Sequence, residues 1–420
     1  MSSTAVLGCM FGDEAKAKIV DVLANNSDFV VRFQGGSNAG HTIVSNGKKI
    51  VLHSVPSGIL YDKTVCILGS GVVVDPFALN EEITQLEKQG INVSNRFFID
   101  PRAHIVLPIH QELDSKSEND KRNRTKIGTT KKGIGPTYAD KSARFGIRFS
   151  DLYNIDYLKE RLTNLYFSHH LEISKEEIDK LVESLSEISK KFEPFKMQVP
   201  YFINEQYEKG ADIIFEGAQG TLLDIDYGTF PFVTSSHTVS GSITIGCGIS
   251  PKKIDRIVGV FKSYFSRVGE GPFPTELFDE IGNTIREQGH EFGSTTGRPR
   301  RCGWFDAIAA KYSAMINGVD EIALTLLDVL SGLKTIKICT AYIIDGKRTL
   351  EFPYDTNSLN NCVPEYIELP GWNEDITKIK KYDDLPKNAK NYIESIEELM
   401  DKKVSIVSVG PDRNQTIFRS

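Results

Sequence analysis

Gly8-Cys9-Met10-Phe11-Gly12-Asp13-Glu14-Ala15-Lys16-Ala17-Lys18 combines glycines, lysines and an acidic pair in one short stretch. The apolar run before it, residues 4–7, reads as a strand, and residues 19–23 read as the first turns of a helix. A strand, a glycine-containing turn and a helix N-terminus make a phosphate cradle, because the free N–H groups and the helix dipole both favour an anion. The spacing is not that of the usual G-x-x-x-x-G-K-[ST] loop. Asp13 and Glu14 put negative charge where phosphate would be repelled. A carboxylate there needs a metal ion to hold or a proton to take.

Further chemistry-bearing segments follow other apolar runs. Gln34-Gly35-Gly36-Ser37-Asn38-Ala39-Gly40-His41-Thr42 pairs glycines, which let backbone approach a ligand, with a histidine able to shuttle a proton near neutral pH. Ile127-Gly128-Thr129-Thr130-Lys131-Lys132-Gly133 reads either as a phosphate clamp or as a flexible basic loop. Glu216-Gly217-Ala218-Gln219-Gly220 offers an amide able to read a base edge, with the hydroxyl of Thr234 further on. Gly293-Ser294-Thr295-Thr296-Gly297-Arg298-Pro299-Arg300-Arg301 gathers three arginines with no adjacent acid, a pattern that suits a carboxylate or phosphate ligand. Thr325-Leu326-Leu327-Asp328 ends an apolar run with an acid able to accept two hydrogen bonds from guanine, although a lone Asp is ordinarily a turn or cap residue. Ser408-Val409-Gly410-Pro411-Asp412-Arg413 could line the same pocket.

The elements that position these segments are short. Residues 29–31, 65–68, 213–215, 254–260, 322–324 and 404–407 are mostly continuous apolar runs, as expected of strands covered on both faces. Helical patterns fall between them, for example over 76–88 and 304–317, which predicts an α/β fold with a mainly parallel central sheet flanked by helices. Residues 147–200 read as a helical insertion, within which a capping box at Ser174 and Glu177 starts a helix. Residues 115–132 read as a polar, mobile loop.

Composition sets the class. The 420 residues are 40% hydrophobic and 25% charged, and the net charge of −6 offers no basic field for nucleic acid or an anionic membrane. No apolar stretch approaches the roughly 20 residues of a membrane span. Met1-Ser2-Ser3-Thr4 leads straight into the first run, so no signal peptide is expected. The six cysteines form no C-x-x-C pair and read as buried, reduced thiols of a cytoplasmic protein.

In this order, the segments from the first strand to Arg413 resemble adenylosuccinate synthetase. The resemblance implies a GTP-dependent ligase that joins L-aspartate to inosine monophosphate (IMP) with Mg²⁺, in AMP biosynthesis. It implies a P-loop NTPase-like single domain over residues 1–420. Asp13 would be the base that takes the N1 proton of the purine, His41 the general acid, and Lys16 and Gln219 their catalytic partners. Asp13 and the Gly40 carbonyl would hold the metal. IMP would meet Asp13, Glu14, Ala15, Lys16, Asn38, Ala39, Gly40, His41, Thr130, Gln219, Thr234 and Arg298, with Arg144 reaching across a homodimer into the partner's IMP site. Aspartate would meet Ser294, Thr295, Thr296, Gly297, Arg298 and Arg300. GTP would meet Gly12, Asp13, Glu14, Ala15, Lys16, Ala17, Lys18, Gly40, His41, Thr42, Arg300, Leu326, Leu327, Asp328, Ser408, Val409 and Gly410.

The chain departs from the family pattern in places. The usual G-D-E-G-K-G-K loop has alanine at Ala15 and Ala17, which is tolerated if both positions are already helical. The usual T-K-L-D has Leu326 for lysine, and Pro299 stands where an arginine is common. Two alternatives remain. One is a relative using a 2-amino purine nucleotide such as dGMP, against which Asp13 argues. The other is a nucleotide-binding regulator that has lost catalysis, against which the retained Asp13, Lys16, His41, Gln219, Arg298 and Asp328 argue.

Overall fold

The computed structural model describes residues 2–45, 47–119, 127–293 and 297–419. A nine-stranded sheet forms its centre, in the order Thr416–Phe418, Lys403–Ser408, Glu321–Thr325, Arg256–Lys262, Ser2–Gly8, Asp212–Glu216, Phe29–Arg32, Val65–Leu68, Phe97–Ile99. Every pairing is parallel except that of the edge strand Thr416–Phe418 with Lys403–Ser408. The expected α/β fold with a mainly parallel sheet is thus present.

Alternation explains why these strands read as continuous apolar runs. On Ser2–Gly8, Val6 packs into the core on one face, with Ile19 and Val20. Ala5 and Leu7 point to the other face, with Val199 and Ile203. Both faces are covered, so neither half of the two-residue period is turned to solvent, and the few polar residues, such as Ser3 and Thr4, are buried as well.

Twelve α-helices are found among the described residues. They are α1 (Lys16–Ala24), α2 (Pro76–Lys88), α3 (Pro108–Asn119), α4 (Ile134–Ala143), α5 (Ile155–Ser168), α6 (Lys175–Phe192), α7 (Val199–Glu208), α8 (Gly241–Cys247), α9 (Glu280–Gln288), α10 (Ala307–Asn317), α11 (Thr356–Asn361) and α12 (Lys387–Met400). The box at Ser174 and Glu177 starts α6, whose apolar side packs on α5 and the main core. Helix α10 begins three residues later than the sequence pattern suggests, because the Asp306 carboxylate accepts from the N–H groups of Ile308 and Ala309 and caps it there.

Residues 115–132 are not the uniform loop expected. Helix α3 continues to Asn119, supported by the Glu112–Lys116 pair at 2.6 Å and by polar contacts to its neighbours. Residues 120–126 lie outside the described residues. A second sheet, built on Thr335–Ile344 against Val363–Pro370, was not foreseen, since the latter strand is largely solvent-facing and holds two prolines.

Candidate active site

The loops that follow the central strands meet at the carboxyl edge of the sheet, where open parallel sheets bind ligands. The first loop is shaped by Glu14. Its wholly buried carboxylate accepts from Met10 N at 2.9 Å and Gly12 N at 2.7 Å on one oxygen, and from Lys16 Nζ at 2.8 Å on the other. Glu14 is therefore the internal strut of the loop. Gly12 has a φ of +88°, and a Cβ there would stand 2.9 Å from Gln219 Cα, so the first and fourth segments can touch only through glycine.

Ala15 corrects an expectation. It is not helical but left-handed, with φ 58° and ψ 34°, at the N-cap of α1, whereas Ala17 lies within the helix. The last free residue of a tight loop must turn the chain into the helix, and the turn used here is the one that glycine adopts without steric cost.

Asp13 sits among cations. Its Oδ2 accepts from Ser266 Oγ at 2.6 Å and lies 3.2 Å from Lys262 Nζ and 3.5 Å from Arg300 Nε. Burial works against its charge, but Lys262, then Arg300 and Ser266, outweigh this and hold the carboxyl below the ordinary carboxylate range. Its Oδ1 is buried with no hydrogen-bond partner among the described residues. Buried Glu291 accepts from Lys262 Nζ at 2.7 Å and Arg300 Nη1 at 2.6 Å, and from the Tyr264 hydroxyl.

His41 is equally buried. Its Nδ1 lies 2.5 Å from Glu216 Oε1, and Glu216 also accepts from Ser57 N at 2.9 Å and Ser57 Oγ at 2.7 Å. Burial pushes the His41 pKa down, opposed by the Glu216 carboxylate. Gln219, with φ 57°, donates to Asn38 Oδ1 at 3.1 Å, and its own Oε1 is buried without a partner among the described residues.

Lys18 joins the first loop to the last. Its Nζ donates to Ser408 Oγ at 2.7 Å, Gly410 O at 2.5 Å and Gln415 O at 3.0 Å. Burial lowers its pKa to about 8, against the pull of Asp328. Burial raises the Asp328 carboxyl, and Asp328 Oδ1 has no partner among the described residues. Leu326 is left-handed at φ 55°, with its carbonyl accepting from Ser263 Oγ at 2.8 Å.

The geometry thus gathers Gly12, Asp13, Glu14, Lys16, Asn38, Gln219 and Arg300 closely, and Lys18 with Ser408 and Gly410. Ala39 accepts from His53 Nδ1 at 2.8 Å, and Thr42 continues the strand that His41 opens. Thr234 N donates to Leu223 O at 2.9 Å, and Arg298 Nη2 donates to Gly128 O at 3.2 Å, near Thr130. Arg144 stands apart, solvent-exposed at the far end of α4. Ser294, Thr295 and Thr296 lie outside the described residues. Glu216, Lys262, Ser266 and Glu291 were missed as site residues. Two signals were available: Glu216 opens the fourth segment, and Lys262 ends a strand that carries no charge from Ile257 to Phe261. Asp224, Asp226 and His237 also cluster, but both Asp224 oxygens already accept N–H groups, from Asp226 and Tyr227 and from Thr238.

A strand, loop and helix cradle bearing an ionised carboxylate, at the carboxyl edge of a parallel sheet, is the layout of a nucleotide-dependent enzyme. The sequence model of the family described as Adenylosuccinate synthetase matches residues 5–417. The adenylosuccinate synthetase of Streptococcus gordonii is 48% identical over 99% of this chain and 98% of its own. That of Carboxydothermus hydrogenoformans is 49% identical over 100% of this chain and 99% of its own. The structure of fully ligated adenylosuccinate synthetase from Plasmodium falciparum superposes with a TM-score of 0.94 at 40% identity, covering 99% of each chain. Succinoaminodeoxyadenylate synthetase of cyanophage S-2L shares the fold, with a TM-score of 0.65 at 19% identity over 99% of this chain and 95% of that one. The chain belongs to the adenylosuccinate synthetase family.

Proposed function

We propose that this protein ligates L-aspartate to IMP with GTP, giving adenylosuccinate, GDP and phosphate. The observation that carries this reading is Asp13: a largely buried, ionised carboxylate in a phosphate-cradle loop, with one oxygen held by Ser266 and Lys262 and the other unpartnered among the described residues. In this reading Asp13 accepts the proton from N1 of IMP, and the electron pair moves to the 6-oxygen. That oxygen attacks the γ-phosphorus of GTP, and GDP leaves. Lys16, the loop N–H groups and protonated His41 offset the charge on the transferred group. The amino group of aspartate then attacks C6, and phosphate departs with the former 6-oxygen. Arg298, Arg300 and the loop before them bind the aspartate carboxylates.

The free oxygen of Asp13 and the Gly40 carbonyl are the hard oxygen donors that Mg²⁺ prefers, so the residues fit that ion. When bound, it would neutralise phosphoryl charge. The exposure of Arg144 supports its reaching IMP in a partner subunit, and so a homodimer. No helix among the described residues is long and apolar enough to cross a membrane, and the buried free cysteines agree with a cytoplasmic setting. We read residues 1–420 as one domain, with 147–200 as a helical insertion.

The test is an assay of purified protein with GTP, Mg²⁺, aspartate and IMP, followed by the ultraviolet change on adenylosuccinate formation. Turnover is expected. Nucleotide binding without turnover would favour a regulator, and turnover of dGMP instead of IMP would favour the 2-amino purine relative.

A further inference from the structure

We propose that α3 is a jig that sets α4 and the two IMP-contacting positions flanking it, with His110, Asp114 and Glu118 as its positioning residues. The proposal rests on the reading of Thr130 and Arg144 as IMP contacts. The three side chains are four residues apart, so they form one stripe along the helix, about 12 Å long.

Each holds a different point of the facing segment. Glu118 Oε1 accepts from Gly128 N at 2.9 Å. Asp114 Oδ2 accepts from Gly133 N, the N-cap of α4, at 2.9 Å. His110 Nε2 lies 3.1 Å from Asp140 Oδ2, in the last turn of α4. Leu107 N donates to His110 Nδ1 at 2.9 Å, so the ring proton must reside on Nε2 and point at Asp140. The contact is close-fitted as well. A Cβ on Gly133, whose φ is +73°, would stand 2.8 Å from Gln111 N and 2.9 Å from His110 Cβ.

Asp140 passes the constraint on. Its carboxylate also meets His169 Nε2 at 2.9 Å, while its carbonyl accepts from Phe145 N and Gly146 N, each at 2.9 Å. Those bonds close the turn in which Arg144 sits left-handed at φ 70°. Thr130 lies between the Glu118 and Asp114 anchor points. One helix therefore registers an IMP contact of its own site at one end and of the partner's site at the other. None of the three side chains needs to touch substrate. Such residues raise KM for IMP and leave kcat nearly alone, whereas mere loss of folded protein lowers apparent kcat at constant KM.

The experiment compares H110N and H110Q. In H110N the amide can replace Nδ1 as acceptor for Leu107 but cannot reach Asp140. H110Q places a donor near the Nε2 position. H110N is expected to raise KM for IMP about ten-fold, the size of one lost charge-assisted hydrogen bond, with kcat within about two-fold. H110Q should lie closer to the parent. The double variant H110N/R144A should match R144A, because His110 acts through Arg144. A raised KM in R144A with none in H110N overturns the jig and leaves the Arg144 reading intact. An unchanged KM in R144A overturns the reading itself. If H110N fails to fold, Asp114→Ala releases the other end of α4, and an unchanged KM for IMP in that variant also overturns the proposal.

Discussion

Glu216→Gln isolates the chemistry of His41. Glu216 is wholly buried and accepts three hydrogen bonds, one from His41 Nδ1 and two from Ser57. With Nδ1 donating to Glu216, His41 can donate from Nε2 to a phosphoryl oxygen only as the imidazolium. Burial disfavours that cation, and Glu216 is the nearby charge that offsets part of this cost. The amide oxygen can still accept from His41 Nδ1 and Ser57 Oγ, the amide nitrogen then faces Ser57 N, and the charge is removed. Breaking a buried ion pair while its partner must stay charged costs about 3 kcal/mol or more, which at about 1.4 kcal/mol per decade is roughly a 100-fold loss in kcat. KM for IMP and GTP should change little, because the charge is needed as phosphoryl transfer proceeds. In the role proposed for His41 the active form is protonated, its pKa already lies below the usual histidine range, and the substitution lowers it further. The deficit should therefore deepen as pH rises through the acid range toward the parent's own pKa, below 6.5, hold its full size from neutrality upward, and shrink toward acid. Initial rates followed by the ultraviolet change, across mildly acid to mildly alkaline buffers, measure this. A kcat within about three-fold of the parent at every pH, or a deficit that grows toward acid, would refute the reasoning.

Ala15→Gly should stabilise the fold by about 1 kcal/mol, since relief of about 1–2 kcal/mol of left-handed strain exceeds the added freedom of glycine in the unfolded chain; a lower urea midpoint would count against it. Leu326 in place of the family's lysine should weaken the preference for GTP, so rates with ITP and ATP should be measurable and L326K should reduce them relative to GTP; strict GTP dependence of the parent would sink the idea. Burial raises the Asp306 pKa to about 6, so its contribution to stability is present below the unfolded value and lost as pH rises through about 6. Asp306→Asn keeps a side-chain oxygen for the Ile308 and Ala309 N–H groups and should gain up to about 3 kcal/mol on the parent between acid and neutral pH; parallel urea midpoints at the two pH values would disprove this.

The sheet was legible because both of its faces are dry. Residues 65–68 read as a strand and form one with those bounds, and the Ser174 box marked α6 to the residue. Features decided by tertiary contact were not legible. The left-handed turn at Ala15 depends on how the first loop meets α1, which residue type alone does not reveal. The end of α3 was hidden because its conserving contacts are polar, so its stripe of His110, Asp114 and Glu118 looks like loop composition. Within the candidate site, Asp13 and His41 stand in short local motifs. Their partners Lys262, Ser266 and Glu216 lie 249, 253 and 175 positions further along the chain, by the differences 262 − 13, 266 − 13 and 216 − 41, and no local pattern joins them.

The bonds from Lys18 to Ser408, Gly410 and Gln415 give the chain a late step in its own making. The first loop emerges early during synthesis, yet a cation buried within it finds its acceptors only once residues 403–418 have been added and have joined the sheet. Until then Lys18 must remain hydrated, so α1 cannot settle in its final seat. Nucleotide binding should therefore be among the last properties a growing chain acquires, and a chain stopped before that strand should lack it even though its phosphate loop is complete.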